Sequence, residues 1–352
     1  MLTRRNGAIR EWNENVAHAL GIDLGGTKIL AGIVDVDSGR VLATAKKRTR
    51  AEHAVDDVMD RLLAVADEAL AESKMQRDSL VAAGVGAAGQ VDSRKGTLIR
   101  APNLPEGMVG MPIAERLESH FDCPATLTND VAAAAAGEAA FGAGKGHPDF
   151  VCVFSGTGIG GAIYRNGTPF PGATKTAGEL GHMVIDYGGR ICGCGGLGHL
   201  EAYASRAAVV RTVIAGMRQG RQSSLSDLEP DPNPLDISQT QIRSKALGQA
   251  VERGDELARE MVETGGRYLG AGLVSIINFY NPPRIVLGGG MVQEVDLFFQ
   301  IAARTAKQGA LFAPAQSVEI VKAALGDNSG IIGAAVIATR HITENDKRAS
   351  LP

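Results

Sequence analysis

Aromatic side chains are scarce in this 352-residue chain, only 4% of it, with a single tryptophan. Cysteine is scarce too, at four residues, and two of these stand one residue apart in a segment that also carries histidine. That usage excludes a disulfide scaffold and points to a reducing, cytoplasmic compartment. No apolar run reaches the roughly 18 residues that cross a bilayer, and the charged stretch Met1 to Asn15 lacks the core of a signal peptide. Positive charge is not in surplus either. With 36 Lys and Arg against 39 Asp and Glu, the net charge of −3 argues against a nucleic-acid or membrane partner. Two phosphate signatures are missing as well, since neither G-x(4)-G-K-[ST] nor G-x-G-x-x-G opens a helix after a strand. What the chain has in quantity is glycine, 45 residues, which suits loops that approach ligands closely. A hydrophobic content of 44% and a charged content of 21% are those of an ordinary globular protein, and the length predicts two domains.

Residues 1–17 read as a poorly ordered arm. Strands are expected at His18 to Asp23, Ile29 to Val36 and Val41 to Lys47, the first two joined by Leu24-Gly-Gly-Thr-Lys28 and the third following a turn at Asp37-Ser-Gly39. Val55, Val58, Met59, Leu62, Leu63, Ala66 and Leu70 recur at helical spacing and predict a helix over 53–73. A strand at Val81 to Gly86, a helix near 111–121, a strand near 125–128 and an Ala-rich helix over 131–141 complete the first half. The pattern then restarts: a strand at Phe150 to Phe154, the turn Ser155-Gly-Thr-Gly-Ile-Gly-Gly161, and a strand at Ala162 to Tyr164. This repeats the first unit at an offset of about 130 residues and reads as a duplicated βββαβα arrangement. The polar stretch 217–240 reads as an insertion. Helices near 241–250 and 254–279 follow, then a strand at Arg284 to Leu287 before Gly288-Gly-Gly290, and a helix over 331–341. The last ten residues read as a solvated tail.

Three sets of residues carry chemistry. In the first, His182, Cys192, Cys194 and His199 follow one another with nine, one and four residues between them. Two thiolates and two imidazoles make a closed tetrahedral zinc set of the structural kind, and the five glycines from Gly188 to Gly196 let the backbone turn tightly enough to aim the sulfurs at one ion. The other reading is a Gly-rich loop with two unrelated cysteines. Glu179 and Glu201 flank the set, and carboxylates are strong acceptors for the hydroxyls of a polyol. The second set is the pair of Gly-rich turns, Gly25, Gly26, Thr27 and Lys28 in one half and Gly156, Thr157 and Gly158 in the other. Each exposes backbone N–H groups able to cradle phosphate oxygens, and Asp23 before the first turn suits Mg²⁺ held through water. Asp23 also reads as a strand-end turn carboxylate, and Lys28 as a solvated residue. The third set is Thr128-Asn-Asp130 between a strand and a helix, where Asp130 is either a helix cap or a general base toward a hydroxyl.

Taken together, these residues resemble the ROK family of bacterial sugar kinases, most of all its glucokinase branch. The matching pieces are Asp23-Leu-Gly-Gly-Thr-Lys28, Gly84-Val-Gly-Ala-Ala-Gly89, Pro102-Asn-Leu-Pro105, Asn129-Asp130, Ser155-Gly-Thr-Gly-Ile-Gly160, Gly178-Glu-Leu-Gly-His182, Cys192-Gly-Cys-Gly195 and Leu287-Gly-Gly-Gly290, in family order over about 18–340. The resemblance implies an α/β, actin/hexokinase-like (ribonuclease H-like) fold of duplicated βββαβαβα topology, with two domains around a cleft. It implies domains of 1–133 plus 331–352, with flexible ends at 1–17 and 343–352, and of 134–330, with the zinc loop 182–199. The terminal helix would return to the first domain. The activity implied is phosphoryl transfer from ATP, with Mg²⁺, to the 6-hydroxyl of a hexose. Asp130 would take the hydroxyl proton, Asn103, Asn129, Glu179, His182 and Glu201 would hold the other hydroxyls, and Gly289 would lie near the adenosine. A homodimer or homotetramer is also implied.

Two departures from the family stand out. Members usually carry a third cysteine where this chain has His199, and glucokinases commonly read Pro-Gly-Trp where this chain has Pro105-Glu-Gly-Met108, beside Asn103. Glucose, N-acetylmannosamine, N-acetylglucosamine or another hexose thus stay open as substrate, and polyphosphate stays open beside ATP as donor. Sugar-responsive repressors of the same family carry an N-terminal DNA-binding domain; about 17 residues before the first strand and an acidic balance favour the enzyme.

Overall fold

The computed structural model describes residues 2–5, 8–11, 17–49, 55–101, 104–174, 176–228 and 240–349, with the backbone alone at 2–5, 8–11 and 343–349. The chain divides into two compact units, Met1–Lys145 with Asp327–Pro352, and Gly146–Gly326.

In unit 1, strands β1 (Leu2–Arg5) and β2 (Ala8–Glu11) pair antiparallel, with Leu2 opposite Glu11. Both strands lie in the stretch 1–17 that the sequence reads as a poorly ordered arm. The main sheet holds β3 (His18–Leu24), β4 (Lys28–Asp35), β5 (Val41–Arg48), β6 (Leu80–Ala87) and, after the small ribbon β7 (Gln90–Asp92) and β8 (Thr97–Arg100), β9 (Ala125–Asn129). Its order is β5-β4-β3-β6-β9, with β3, β4 and β5 antiparallel and β6 and β9 parallel to β3. Strands β3 and β4 are buried along nearly their whole length, as continuous apolar runs covered on both faces should be. Edge strand β5 keeps only Ala45 in the core and turns its Lys and Arg residues outward. Helix α1 (Val55–Ser73) buries Val58, Met59, Leu62, Val65, Ala66 and Ala69, one stripe at helical spacing. Helices α2 (Ile113–Phe121) and α3 (Asp130–Phe141) follow.

Unit 2 repeats the order. Its sheet runs β12 (Thr168–Pro169), β11 (Ile159–Arg165), β10 (Phe150–Ser155), β13 (Arg284–Gly288), β14 (Glu319–Lys322). The first three are again antiparallel, and β13 and β14 run parallel to β10 and β13 in turn. Its helices are α4 (Glu201–Ala204), α5 (Arg206–Arg218), α6 (Ser244–Glu252), α7 (Glu256–Tyr280), α8 (Gly290–Glu294), α9 (Asp296–Gly309) and α10 (Phe312–Ser317). Sequence reasoning assigned no element to the stretches that form α5, α9, α10 and β14. The polar insertion foreseen at 217–240 lies mostly outside the described residues.

Helix α11 (Ser329–Ala349) closes the chain and packs on α3, β3 and β6 of unit 1. It extends beyond the expected 331–341, so the tail expected from 343 on is helical backbone as far as Ala349. The unit boundary also falls later than 133/134, because α3 stays in unit 1 beneath α11. This packing needs bare backbone: a Cβ on Gly84 would sit 2.0 Å from the Ala334 carbonyl oxygen, and one on Gly21 1.9 Å from that of Ile331.

Candidate active site

Unit 1 gathers acidic groups at the ends of its parallel strands. Asp23 is the next-to-last residue of β3 and stands opposite Gly86 on β6. With no side chain at Gly86, the start of α3 comes close: a Cβ there would lie 3.3 Å from Asp130 Cα. Asp23 consequently faces the charge of Asp130, and the N-terminal turn of α11 approaches it through Gly330. Burial, then the negative Asp130, pushes the Asp23 carboxyl up to about 7; Lys28 pulls the other way and Asp327 adds to the rise. Lys28 Nζ donates to Asp327 Oδ2 at 3.2 Å across an exposed edge. The turn between β3 and β4 is tight. Gly25 N donates to the Lys28 carbonyl at 3.0 Å, Thr49 Oγ1 to the Gly25 carbonyl at 2.6 Å, and Thr49 N to the Thr27 carbonyl at 3.0 Å. Gly26 is half-buried, while Thr27 and Lys28 are exposed.

Where β9 gives way to α3, the cap is Asn129. Its backbone is extended, at φ −69° and ψ 146°, and its Oδ1 accepts from Val131 N and Ala132 N, both at 3.0 Å. Asp130 is therefore the first helical residue, which corrects the reading of it as the cap. Its Oδ1 accepts from Asn129 Nδ2 at 3.0 Å and from Val131 N at 2.9 Å, two donors that fix the carboxylate in place. Asn129 Nδ2 also reaches the Gly89 carbonyl, at 3.0 Å. Asn103 lies outside the described residues.

Unit 2 brings together the Gly-rich turn, the metal-type cluster and the two flanking glutamates. The turn between β10 and β11 is closed by Gly156 N donating to the Gly158 carbonyl at 2.9 Å. Glu201, at the start of α4, accepts from Ile159 N at 2.8 Å through Oε2. The carboxylate fills the space beside Gly158, where a Cβ would lie 2.3 Å from Oε2 and displace it. Gly289, at φ 83°, packs its backbone on Ser155, where a Cβ would be 2.4 Å from the Ser155 carbonyl oxygen. Thus Gly289 and the Gly156–Gly158 turn are neighbours in space.

His182, Cys192, Cys194 and His199 each present one ligand atom, all within 4.8 Å of one another. Cys194 Sγ is 3.2 Å from His199 Nδ1, and Cys192 Sγ is 3.8 Å from His182 Nδ1. Tetrahedral zinc with bonds of about 2.0–2.3 Å separates its ligands by roughly 3.3–3.8 Å; the two Cys–His distances lie close to that range, and the whole set would draw in from its 4.8 Å limit on binding an ion. His199 takes a place in the cluster beside the two cysteines. Burial, opposed by the Cys194 backbone N–H and reinforced by Glu201, pushes the Cys192 thiol up to about 12. Such a thiol is inert unless a cation deprotonates it. His182 Nε2 is 3.8 Å from Glu179 Oε2, and Cys192 Sγ is 3.5 Å from Glu201 Oε1. Both glutamates thereby adjoin the cluster, with Glu179 largely exposed.

Sequence reasoning missed two residues here. Asp327 is 299 positions from its partner Lys28, beyond any local pattern. Arg206, whose Nη2 donates to Thr157 Oγ1 at 2.9 Å, opens an amphipathic helix that also carries Arg211 and Arg218, and belongs to no motif.

Comparison with known proteins places this arrangement. A family model described as ROK family matches residues 19–341. The glucokinase of Streptomyces coelicolor is 32% identical over 329 residues, covering 91% of this chain and 96% of that protein. A crystal structure of a ROK family glucokinase from Streptomyces griseus, in complex with glucose and AMPPNP, superposes with a TM-score of 0.79 at 31% identity, covering 92% of this chain and all of that one. The DNA-binding transcriptional repressor Mlc of Escherichia coli is 25% identical, over 91% of this chain and 75% of its own length. The repeated strand order is that of the actin/hexokinase-like fold, and this chain belongs to the ROK family.

Proposed function

We propose that this chain is an ATP-dependent hexose kinase that transfers the γ-phosphoryl group to the 6-hydroxyl of glucose. The observation that carries the reading is Asp130, fixed at the start of α3 by Asn129 and placed beside Asp23. A base for a sugar hydroxyl needs a carboxylate of fixed orientation, and the two donors on Oδ1 supply that orientation. The likeness to a glucokinase that binds glucose and AMPPNP supports the substrate pair.

Asp130 aligns the hydroxyl and accepts its proton as the new O–P bond forms and the bond to the β-phosphate oxygen breaks, releasing ADP. Asn103, Asn129, Glu179, His182 and Glu201 serve the remaining hydroxyls, as the family resemblance implies. The turns at Gly25–Lys28 and Gly156–Gly158 serve the phosphates, and Gly289 the adenosine side. Mg²⁺, held by Asp23 through water, would offset phosphate charge. Zinc on His182, Cys192, Cys194 and His199 would brace the segment that carries Glu179 and His182, since four protein ligands leave no open position for chemistry.

The test is an ADP-release assay with ATP over glucose, mannose, N-acetylmannosamine and N-acetylglucosamine, with the product identified as the 6-phosphate. Glucose should give the highest kcat/KM. Turnover of none of the hexoses would overturn the kinase reading, and a preference for an N-acetylated sugar would move the substrate while keeping the chemistry.

A further inference from the structure

Helix α5 opens on an arginine, the wrong sign of charge for a helix N-terminus. Ser205 supplies the cap, accepting from Ala208 N at 3.1 Å, so Arg206 is not needed for it. Arg206 is nonetheless only 7% exposed. Its guanidinium reaches two neutral acceptors, Thr157 Oγ1 at 2.9 Å and the Ile242 carbonyl at 3.3 Å. Among the described residues no carboxylate lies within ion-pair distance of it. The charged neighbour that acts on it is Arg243, a second cation, which adds to burial in lowering its pKa. A buried cation with five donors, two neutral acceptors and a cationic neighbour is costly to keep. An anion bound nearby would remove that cost.

The place where Arg206 sits says which anion. Its backbone N–H donates to the Gly156 carbonyl at 2.9 Å, so both its main chain and its side chain hold the turn at 156–158. Ile242 leads into Ser244, whose Oγ would be 3.0 Å from a Cβ on Gly290. The guanidinium therefore ties the turn to the segment that borders Gly289-Gly290. Guanidinium N–H groups only donate, so Thr157 Oγ1 must accept from Arg206, and its own O–H must point to another acceptor. We propose that Arg206 is a positioning residue for a phosphate chain: it fixes the Thr157 hydroxyl as a donor to a phosphate oxygen and sets an uncompensated positive charge behind the turn. This rests on the kinase reading insofar as the phosphate chain is that of the nucleotide donor.

Calorimetric titration with ADP, and separately with inorganic tripolyphosphate, both without sugar, tests it on the full chain. Arg206→Met should weaken both by roughly 10- to 100-fold, and Arg206→Lys, which keeps charge but loses the fork, by less. Adding Arg206→Met to Thr157→Val should cost no more than about 3-fold beyond the larger single effect, because the two act through one hydrogen bond. In turnover, the KM for ATP should rise while that for the hexose stays. Wild-type binding of ADP by an Arg206→Met protein of lowered melting temperature would reduce Arg206 to a packing role and overturn the proposal, as would losses that multiply in full in the double variant. Should Arg206→Met fail to fold, the Arg206→Lys and Thr157→Val proteins carry the same comparison; unchanged binding by both overturns it. Wild-type protein that binds either probe in an Arg206-dependent way but phosphorylates no hexose would sink the kinase reading and leave this one standing. Binding of neither probe would sink this one.

Discussion

Asp23 is at odds with its surroundings at the residue scale. Burial and the Asp130 charge hold its carboxyl up to about 7, above its value in an unfolded chain. The folded protein therefore keeps a proton that the unfolded chain gives up between about pH 4 and about pH 7. Without divalent cation, stability should fall as pH rises through that window and level off above it. Asp23→Asn removes the titrating charge, so it should flatten that fall and melt higher than wild type at pH 8 while losing activity. Thermal melts in chelator-treated buffer from pH 4.5 to 8 decide the point; parallel profiles for the two proteins would remove Asp23 as the cause. Asn129 and Asp130 divide two jobs: Asn129 caps α3, as either residue type could, and Asp130 carries the carboxylate that only aspartate supplies. Asn129→Ala loses the cap and should cost about 1 kcal/mol of stability. Asp130→Asn keeps the shape and should instead lower kcat by roughly 10²–10⁴-fold with little change in melting temperature. Near-normal kcat in Asp130→Asn would take the base away from this residue.

At the scale of elements, the zinc-type loop is anchored on the core through Met183, Ile185 and Cys192 but leaves most of its other apolar side chains outside. Tyr187 is 97% exposed and Ile191 74%, with Val184 and Leu197 also largely exposed. Two isolated bridges, Val184 with His199 and Ile191 with Leu197, are its pairings with bearing on the cluster. On the zinc proposal, an ion held by His182, Cys192, Cys194 and His199 would order this segment. Purified protein should hold about one zinc per chain, and His199→Ala should lower that content. Stripping the metal should open 183–198 to protease and raise the hexose KM more than the ATP KM, because Glu179 and His182 belong to this segment. Protein with no zinc by elemental analysis, prepared without chelator, would end the proposal. The cluster was legible in the sequence because its ligands lie within 18 positions of one another. The same holds for α1 and α7, where apolar spacing repeats locally, and for the two Gly-rich turns. Asp327 and Arg206 were not legible, since each acquires its meaning from a partner brought near only by the fold.

At the scale of the whole molecule, the first unit is completed by the last helix. Ile331, Ala334 and Ala335 of α11 are wholly buried, so the face of the sheet formed by β3 and β6, which α3 covers only in part, is completed by the end of the chain. Contacts of such long sequence separation close slowly, and unit 1 should form its packed state only in the full-length chain. Gly84 tests the contact directly. A methyl group there would meet the Ala334 carbonyl oxygen at 2.0 Å and the carbonyl carbon at 2.5 Å, and a backbone carbonyl cannot rotate away as a side chain can. Gly84→Ala should therefore cost roughly 1–3 kcal/mol through displacement of α11. Both contacting elements belong to unit 1, which localises the damage. Hydrogen exchange should quicken at amides of β6, β3 and α11 and stay unchanged in β10 and β13. Equal acceleration in both sheets would mean that the two units unfold together, and that the helix is not what sets the stability of the first.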